Sequence, residues 1–297
     1  MGRLKKLQQA VTTERNATWV VYTPESQLRH PVRLLRTMWR DLLASRELAW
    51  RLLVRDISAK YRQSFLGIIW AFIPPIVTAA GFTLAKSGGV VNVGNTDLPY
   101  PAYVMFSMAL WQTFVEALNG PVQGVAEAKA MLARINFPRE AIILAKLGEI
   151  FFNFGIKLIL ILGLFIWFKM PVTWSIILAP VALIHLVMLG TFLGLLLAPV
   201  GGLYKDFSMG ITLATGLWLF LTPVVFPVPS GEGVFGTIVK FNPVTPLLVT
   251  TRELATTGVI SDPVGFWIVS GIALGGLIFA WIVYRLAMPF VIERISS

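Results

Sequence analysis

The chain has 297 residues, of which 56% are hydrophobic and 13% charged, against about 25% charged in soluble domains. No single soluble core buries that much apolar surface, so the chain needs lipid around it, and the spans this implies leave no room for a separate soluble enzyme domain. The net charge is +10, and the absence of cysteine excludes disulfides, thiolate metal sites and cysteine nucleophiles.

The start is basic (Arg3, Lys5, Lys6), but Gln8 and Gln9 interrupt the short run that follows, so no cleavable signal is expected. Thirteen of the 25 Lys and Arg precede Phe65. That placement favours anionic lipid headgroups over nucleic acid as their partner. Over 34–43, Leu34, Leu35, Met38, Trp39, Leu42 and Leu43 share one helical face, with Arg33, Arg36 and Arg40 on the other. This pattern predicts an amphipathic helix lying in the membrane interface. The stretch 46–62 is helical in composition, but its charges are not sorted to one face.

Apolar runs of spanning length follow at about 65–85, 103–125, 150–167, 174–199, 209–226 and 264–284. In lipid every backbone group must pair internally, so each run is read as a helix. The predicted fold is an all-α polytopic membrane protein with six transmembrane helices. Its parts are a cytoplasmic N-terminal extension over 1–64, a transmembrane domain over 65–286 and a cytoplasmic tail over 287–297. With the N-terminus inside, cytoplasmic segments hold 20 Lys and Arg and external segments four, which places both termini in the cytoplasm. The longest external segment, 227–263, is broken by Pro227, Pro229, Gly231 and Gly233 and then turns apolar again. It predicts two short re-entrant helices, with Thr245-Pro246 at a helix start and Gly258 at a stop. Irregular structure at membrane depth is tolerated where it lines a cavity, which points to a pathway at the external end.

Catalytic constellations are not visible. His30 and His185 are far apart, and 81–87 ends in Lys-Ser without the glycine a P-loop requires. Active transport by this chain therefore draws on an ion gradient or a separate subunit. Polar residues inside spans are functional candidates. Gln112, Glu116, Asn119 and Gln123 form a stripe on the second span, and Glu149, Asn153 and Lys157 form one on the third. Glu116 and Lys157 fall at matching depth on consecutive antiparallel helices, so they are expected to pair. Trp70, Phe72, Trp111, Phe114, Trp218 and Phe220 sit within or at the ends of three spans. Packing and interface anchoring are the ordinary uses of such residues. Their number also suits the lining of a channel for sugars, whose C–H faces stack on rings. Gly190-x-x-x-Gly194 and Gly271-x-x-x-Gly275 permit close helix approach.

One ordered set of motifs goes further. It comprises Arg55-Asp56, Tyr61-Arg62-Gln63-Ser64, Leu66-Gly67, Trp70, Pro74-Pro75 and Asn136-Phe137-Pro138-Arg139-Glu140, then Tyr204-Lys205-Asp206, the run at 221–227 and Asn242-Pro243. In this order the chain resembles the membrane subunit of ABC-2 type polysaccharide exporters, the Wzm/TagG group of O-antigen and teichoic acid permeases. The resemblance runs from about Pro31 onward. Lys205 stands where relatives often carry Arg, and Lys157 has no counterpart role in the family.

The resemblance implies a homodimer in the bacterial cytoplasmic (inner) membrane, bound to two copies of a separate nucleotide-binding ATPase subunit. That complex exports a lipid-linked polysaccharide of O-antigen, capsule or teichoic acid type. It implies no cofactor in this chain, with ATP and Mg on the partner, and no enzyme activity of its own. A coupling helix is expected over about 125–140, with Arg134, Phe137, Pro138, Arg139 and Glu140 docking on the ATPase. Arg55, Asp56, Tyr61 and Arg62 are expected where substrate gains access near the interface helix. The short external helices are expected to act as gate elements. The alternatives are an ABC-2 exporter of a small amphipathic drug or lipid and a secondary transporter. A secondary transporter favours inverted repeats, and no convincing repeat is visible.

Overall fold

The computed structural model describes residues 31–296 except 63, 64, 66, 92, 136 and 230–232. The basic start, Gln63, Ser64, Leu66, Asn136 and Gly231 therefore lie outside the described residues. The described residues are helix and loop without strand. The chain divides into two compact units, Met1–Asp41 and Leu42–Ser297, described separately.

Helix α1 (Pro31–Ala44) contains the expected amphipathic stretch. Its apolar stripe is divided: Leu34 and Met38 are buried, whereas Leu35, Trp39 and Leu43 remain exposed. Helix α2 (Arg46–Arg62) packs Ala49 and Leu52 against Ala141 and Ala145 of α6 (Glu140–Trp167). A Cβ on Gly148 would stand 2.7 Å from Leu53 Cδ2, so glycine at that position lets the two helices approach.

The predicted first span is not one helix. Gly67–Ala71 forms a 3-10 turn, and α3 runs only over Ile73–Ser87. Pro74 and Pro75 cause the break, because proline lacks the N–H an interior turn needs yet fits the first turn of a helix. The second predicted span becomes α4 (Tyr100–Glu127), 28 residues long with Pro121 inside it. A short helix α5 (Lys129–Leu132) leads toward α6. Helix α7 (Ala179–Leu203) follows a 3-10 turn at Trp174–Ile177. Helix α8 (Lys205–Trp218) ends in another such turn, Leu219–Leu221, ahead of Pro223. Helix α11 continues without interruption over Pro263–Ser296, past Pro289 and into the expected tail. Helices α6, α7 and α11 are long and apolar enough to cross a membrane by length and composition.

Helix α7 is the centre of the bundle, packed mainly on α4 and α11. Glycines make this possible. A Cβ on Gly194 would sit 2.3 Å from the Leu118 carbonyl oxygen, and one on Gly190 would sit 2.7 Å from Ala117 Cβ. Without a hydrophobic drive between helices in lipid, such close contact is what holds a bundle together. The second glycine pair behaves differently. Nothing lies within 4 Å of a Cβ on Gly271 or Gly275, and Gly276 instead receives the Phe192 ring.

The two expected short helices are present as α9 (Val234–Phe241) and α10 (Val244–Ala255). The start of α10 differs from expectation: Asn242 Oδ1 accepts the Val244 N–H at 3.1 Å, while Thr245 lies inside the helix. Gly258 adopts φ +77°, and its N–H reaches the Glu253 carbonyl at 2.8 Å, closing the helix. Every residue of α10 is buried. Substituting Gly194 by Val should separate α4 from α7 and destabilise the protein by about 1–3 kcal/mol. The check is thermal unfolding of the detergent-purified chain, where Gly271→Val is expected to leave the transition unchanged.

Candidate functional site

The most polar part of the bundle lies where α2, α4 and α6 meet. On α6, Lys146, Glu149, Asn153 and Lys157 recur at helical spacing, and on α4 Glu116, Asn119 and Gln123 do the same. Lys157 is 1% exposed. Its ammonium donates to Glu116 Oε1 at 2.7 Å and to Thr113 Oγ1 at 3.4 Å. Asn153 Nδ2 donates to the other Glu116 oxygen at 3.3 Å, and the Tyr61 hydroxyl donates to Asn153 Oδ1 at 3.4 Å. Burial pushes the Tyr61 hydroxyl above its ordinary pKa of 10, so it stays a neutral donor.

A second cluster continues this polar seam toward the loop end of the helices. Lys146 Nζ lies 2.8 Å from Glu127, 3.1 Å from Glu149 and 3.6 Å from Asp56, carboxylates carried by α4, α6 and α2. Lys60 pairs with Glu149 at 3.2 Å. The stem of Lys146 reaches Glu127 by lying on Gly120 and Gly124, where a Cβ would come within 3.5 and 3.0 Å of it. Lys146 is the residue that sequence reasoning missed. The available signal was its position one turn before Glu149, facing two glycines spaced by four on α4. A cavity of about 210 Å³ opens between these groups, lined by Lys60, Glu116, Asn119, Gln123, Lys146 and Glu149 among others.

The remaining expected residues scatter. Of the substrate-access set, Arg55 pairs with Asp56 at 2.7 Å, Tyr61 joins the seam, and Arg62 is exposed. Of the channel-lining set, Trp111 and Phe114 lie in the core of the protomer, 3% and 0% exposed. Their rings meet Trp218 edge to face at centroid distances of 6.3 and 5.4 Å. Trp218 is itself tied down, donating from Nε1 to Asn242 Oδ1 at 3.0 Å. Phe72 is half-buried, whereas Trp70 and Phe220 are exposed.

The loop between α4 and α6 also separates its candidates. Arg134 and Ile135 are exposed at the tip, and Arg139 is half-buried. Phe137 packs against the cores beneath α2 and α11, and Pro138 offers its carbonyl to the Ala141 N–H at 3.1 Å. Glu140, expected at the docking surface, is 6% exposed, and its carboxylate receives Arg285 of α11 at 2.8 Å.

At the opposite end, Arg252 of α10 is buried. It donates to Ser107 Oγ at 2.7 Å and stacks 4.1 Å from the centre of the Tyr103 ring. The Tyr103 hydroxyl donates to the Phe226 carbonyl at 2.9 Å, and that of Tyr100 to the Val225 carbonyl at 2.9 Å. Together they pin the extended stretch after α8 onto α4.

Glu116→Gln should strand the buried Lys157 ammonium and cost about 2–4 kcal/mol of stability. Lys157→Met should cost less, because the carboxylate it releases is partly solvated, at 32% side-chain exposure. In thermal melts the Glu116→Gln/Lys157→Met double variant should recover most of the loss.

Comparison with known proteins shows the family of the chain. The ABC-2 type transporter family matches residues 47–254. An O-antigen export system permease protein RfbA of Myxococcus xanthus is 24% identical over 221 residues, covering 72% of this chain and 82% of that protein. A protein of the same name from Klebsiella pneumoniae is 23% identical, covering 78% of this chain and 91% of that protein. The polysialic acid transport protein KpsM of Escherichia coli is 21% identical, covering 79% and 91%. With its apolar helices and a family match spanning most of its length, the chain belongs to the ABC-2 type transporters and is a membrane-embedded transporter subunit.

Proposed function

We propose that this chain is the permease subunit of an ATP-driven exporter that carries a lipid-linked polysaccharide across the bacterial cytoplasmic membrane. One observation carries the substrate class. Relatives covered over 82% and 91% of their own length are named for export or transport of surface glycans. A long hydroxylated polymer cannot cross hydrocarbon unenclosed, so the protein must supply a hydrated path. Six membrane crossings, at α3, α4, α6, α7, α8 and α11, place both ends of the chain on the cytoplasmic side, in keeping with the Lys and Arg distribution.

The path forms between two copies of the chain. This reading is supported by the apolar faces left open on α8 (Met209, Leu213, Leu217) and α3 (Ile76, Val77, Leu84). Trp70 and Phe220, exposed in the 3-10 turns next to those helices, are free to meet a sugar. ATP and Mg belong to a separate nucleotide-binding subunit, present in two copies, and this chain contributes no catalytic group. The partner docks on the exposed tip of the α4–α6 loop, at Arg134 and Ile135. Phe137 and Glu140 anchor that loop to α2 and α11, so force applied at the tip reaches the helices as a rigid displacement.

Deleting the chain should abolish surface glycan while lipid-linked glycan accumulates inside. Unchanged surface glycan sinks the assignment. Arg134→Glu/Ile135→Asp should lower co-purification of the ATPase at least about tenfold with the melting transition preserved, a loss of roughly 1.4 kcal/mol or more in binding. Glu140→Gln should instead lower the transition itself.

A further inference from the structure

The cavity between α2, α4 and α6 retains hydrogen-bonding capacity after its ion pairs are accounted for. Its charged groups cancel. Lys60 and Lys146 face Glu149, and Glu116 is taken by Lys157. A free anion or cation placed there meets as many like charges as opposite ones, so the cavity does not select for phosphate or metal. What remains open is neutral. Gln123 is exposed and makes no hydrogen bond among the described residues. Asn119 spends its amide N–H on the Val115 carbonyl at 3.1 Å, which leaves its own carbonyl oxygen available.

Asn119 and Gln123 are four residues apart on one face of α4, and the stripe continues through Glu116 to half-buried Gln112. Gln123, exposed near the loop end of α4, and the open carbonyl oxygen of half-buried Asn119 can exchange water for the hydroxyl groups of a ligand. The volume, about 210 Å³, far exceeds the space a single water needs and has room for a ring-sized ligand. Its described lining includes no aromatic ring. Recognition there runs through hydroxyl hydrogen bonds rather than ring stacking.

We infer that this cavity is a glycosyl-binding subsite, in which Asn119 and Gln123 hydrogen-bond the hydroxyls of a neutral sugar residue of the exported chain. The inference rests on the glycan-export reading above. The ion pairs around the cavity hold it open and rigid. Lys146 and Glu116 are positioning residues here, and the two carboxamides make the contact.

The test compares export in a strain lacking the chromosomal copy, complemented by wild type, Asn119→Leu/Gln123→Leu or the carboxamide swap Asn119→Gln/Gln123→Asn at equal membrane levels and with the ATPase partner present. The initial rate at which radiolabelled glycan reaches the surface is measured. The leucine pair should lose about tenfold or more, the worth of two hydrogen bonds. The swapped pair, which keeps both carboxamides, should stay within about threefold. A wild-type rate in the leucine pair overturns the subsite, as does an equal loss in both pairs.

Since the chain has no cysteine, a Gln123→Cys variant adds a direct readout. Labelling by a membrane-impermeant thiol reagent in inside-out vesicles should slow when glycan synthesis is switched on. A labelling rate indifferent to glycan overturns the subsite as well. If deletion of the whole chain leaves surface glycan unchanged, the export reading falls and takes the subsite with it. If deletion abolishes glycan but the leucine pair exports normally, only the subsite falls.

Discussion

A lysine ammonium seventeen residues into an apolar helix has to be matched by a carboxylate, and α4 and α6 are arranged around that requirement. Lys157 meets Glu116, Glu116 orients Asn153, and Asn153 receives Tyr61, so one buried charge organises three helices. Because neither helix can slide along the other without stranding a charge, the relative height of α4 and α6 is held. The second knot, at Lys146, does the same for the approach of α2. Buried ion pairs are weak contributors to stability when compared with apolar packing, but breaking one side is costly. That asymmetry makes them good at specifying register.

The other organising element is close backbone packing on α7. Gly190, Gly194, Gly201 and Gly202 all lie against α4, with no room for a side chain. In lipid this contact replaces the hydrophobic drive that would assemble a soluble bundle. It also leaves the polar face of α4 turned away from α7, toward α6 and the cavity. Apolar packing on one face and polar groups on the other give α4 its two functions, as a structural pillar and as the lining of a wet seam.

The two ends of the bundle are built by different means. At the loop end, carboxylates and lysines tie α2, α4 and α6, and the Glu140–Arg285 pair ties α6 to α11. A push on the exposed tip around Arg134 therefore meets helices already linked by charge. At the opposite end the restraints are tyrosine hydroxyls, Asn242 and a buried arginine acting on backbone carbonyls. Helix α10 is wholly enclosed there, while Val234 and Phe241 of α9 stay exposed. Of the two short helices, α9 is the more exposed.

Periodicity and composition by themselves determined that the chain is helical and membrane-embedded, where the apolar runs lie, and that Glu116 and Lys157 share a depth. Those properties are local, because side-chain spacing along a helix follows from 3.6 residues per turn and lipid forbids open backbone. The ordered motifs also pointed to the ABC-2 type family. Only the tertiary structure decided which polar and aromatic groups face one another. It put Trp111 and Phe114 in the core, paired Glu140 with Arg285, and made Lys146 a junction of three helices. A helix pattern says which residues share a face but not which neighbour covers that face. Coverage depends on contacts between residues far apart in sequence, such as the 145 positions separating Glu140 from Arg285.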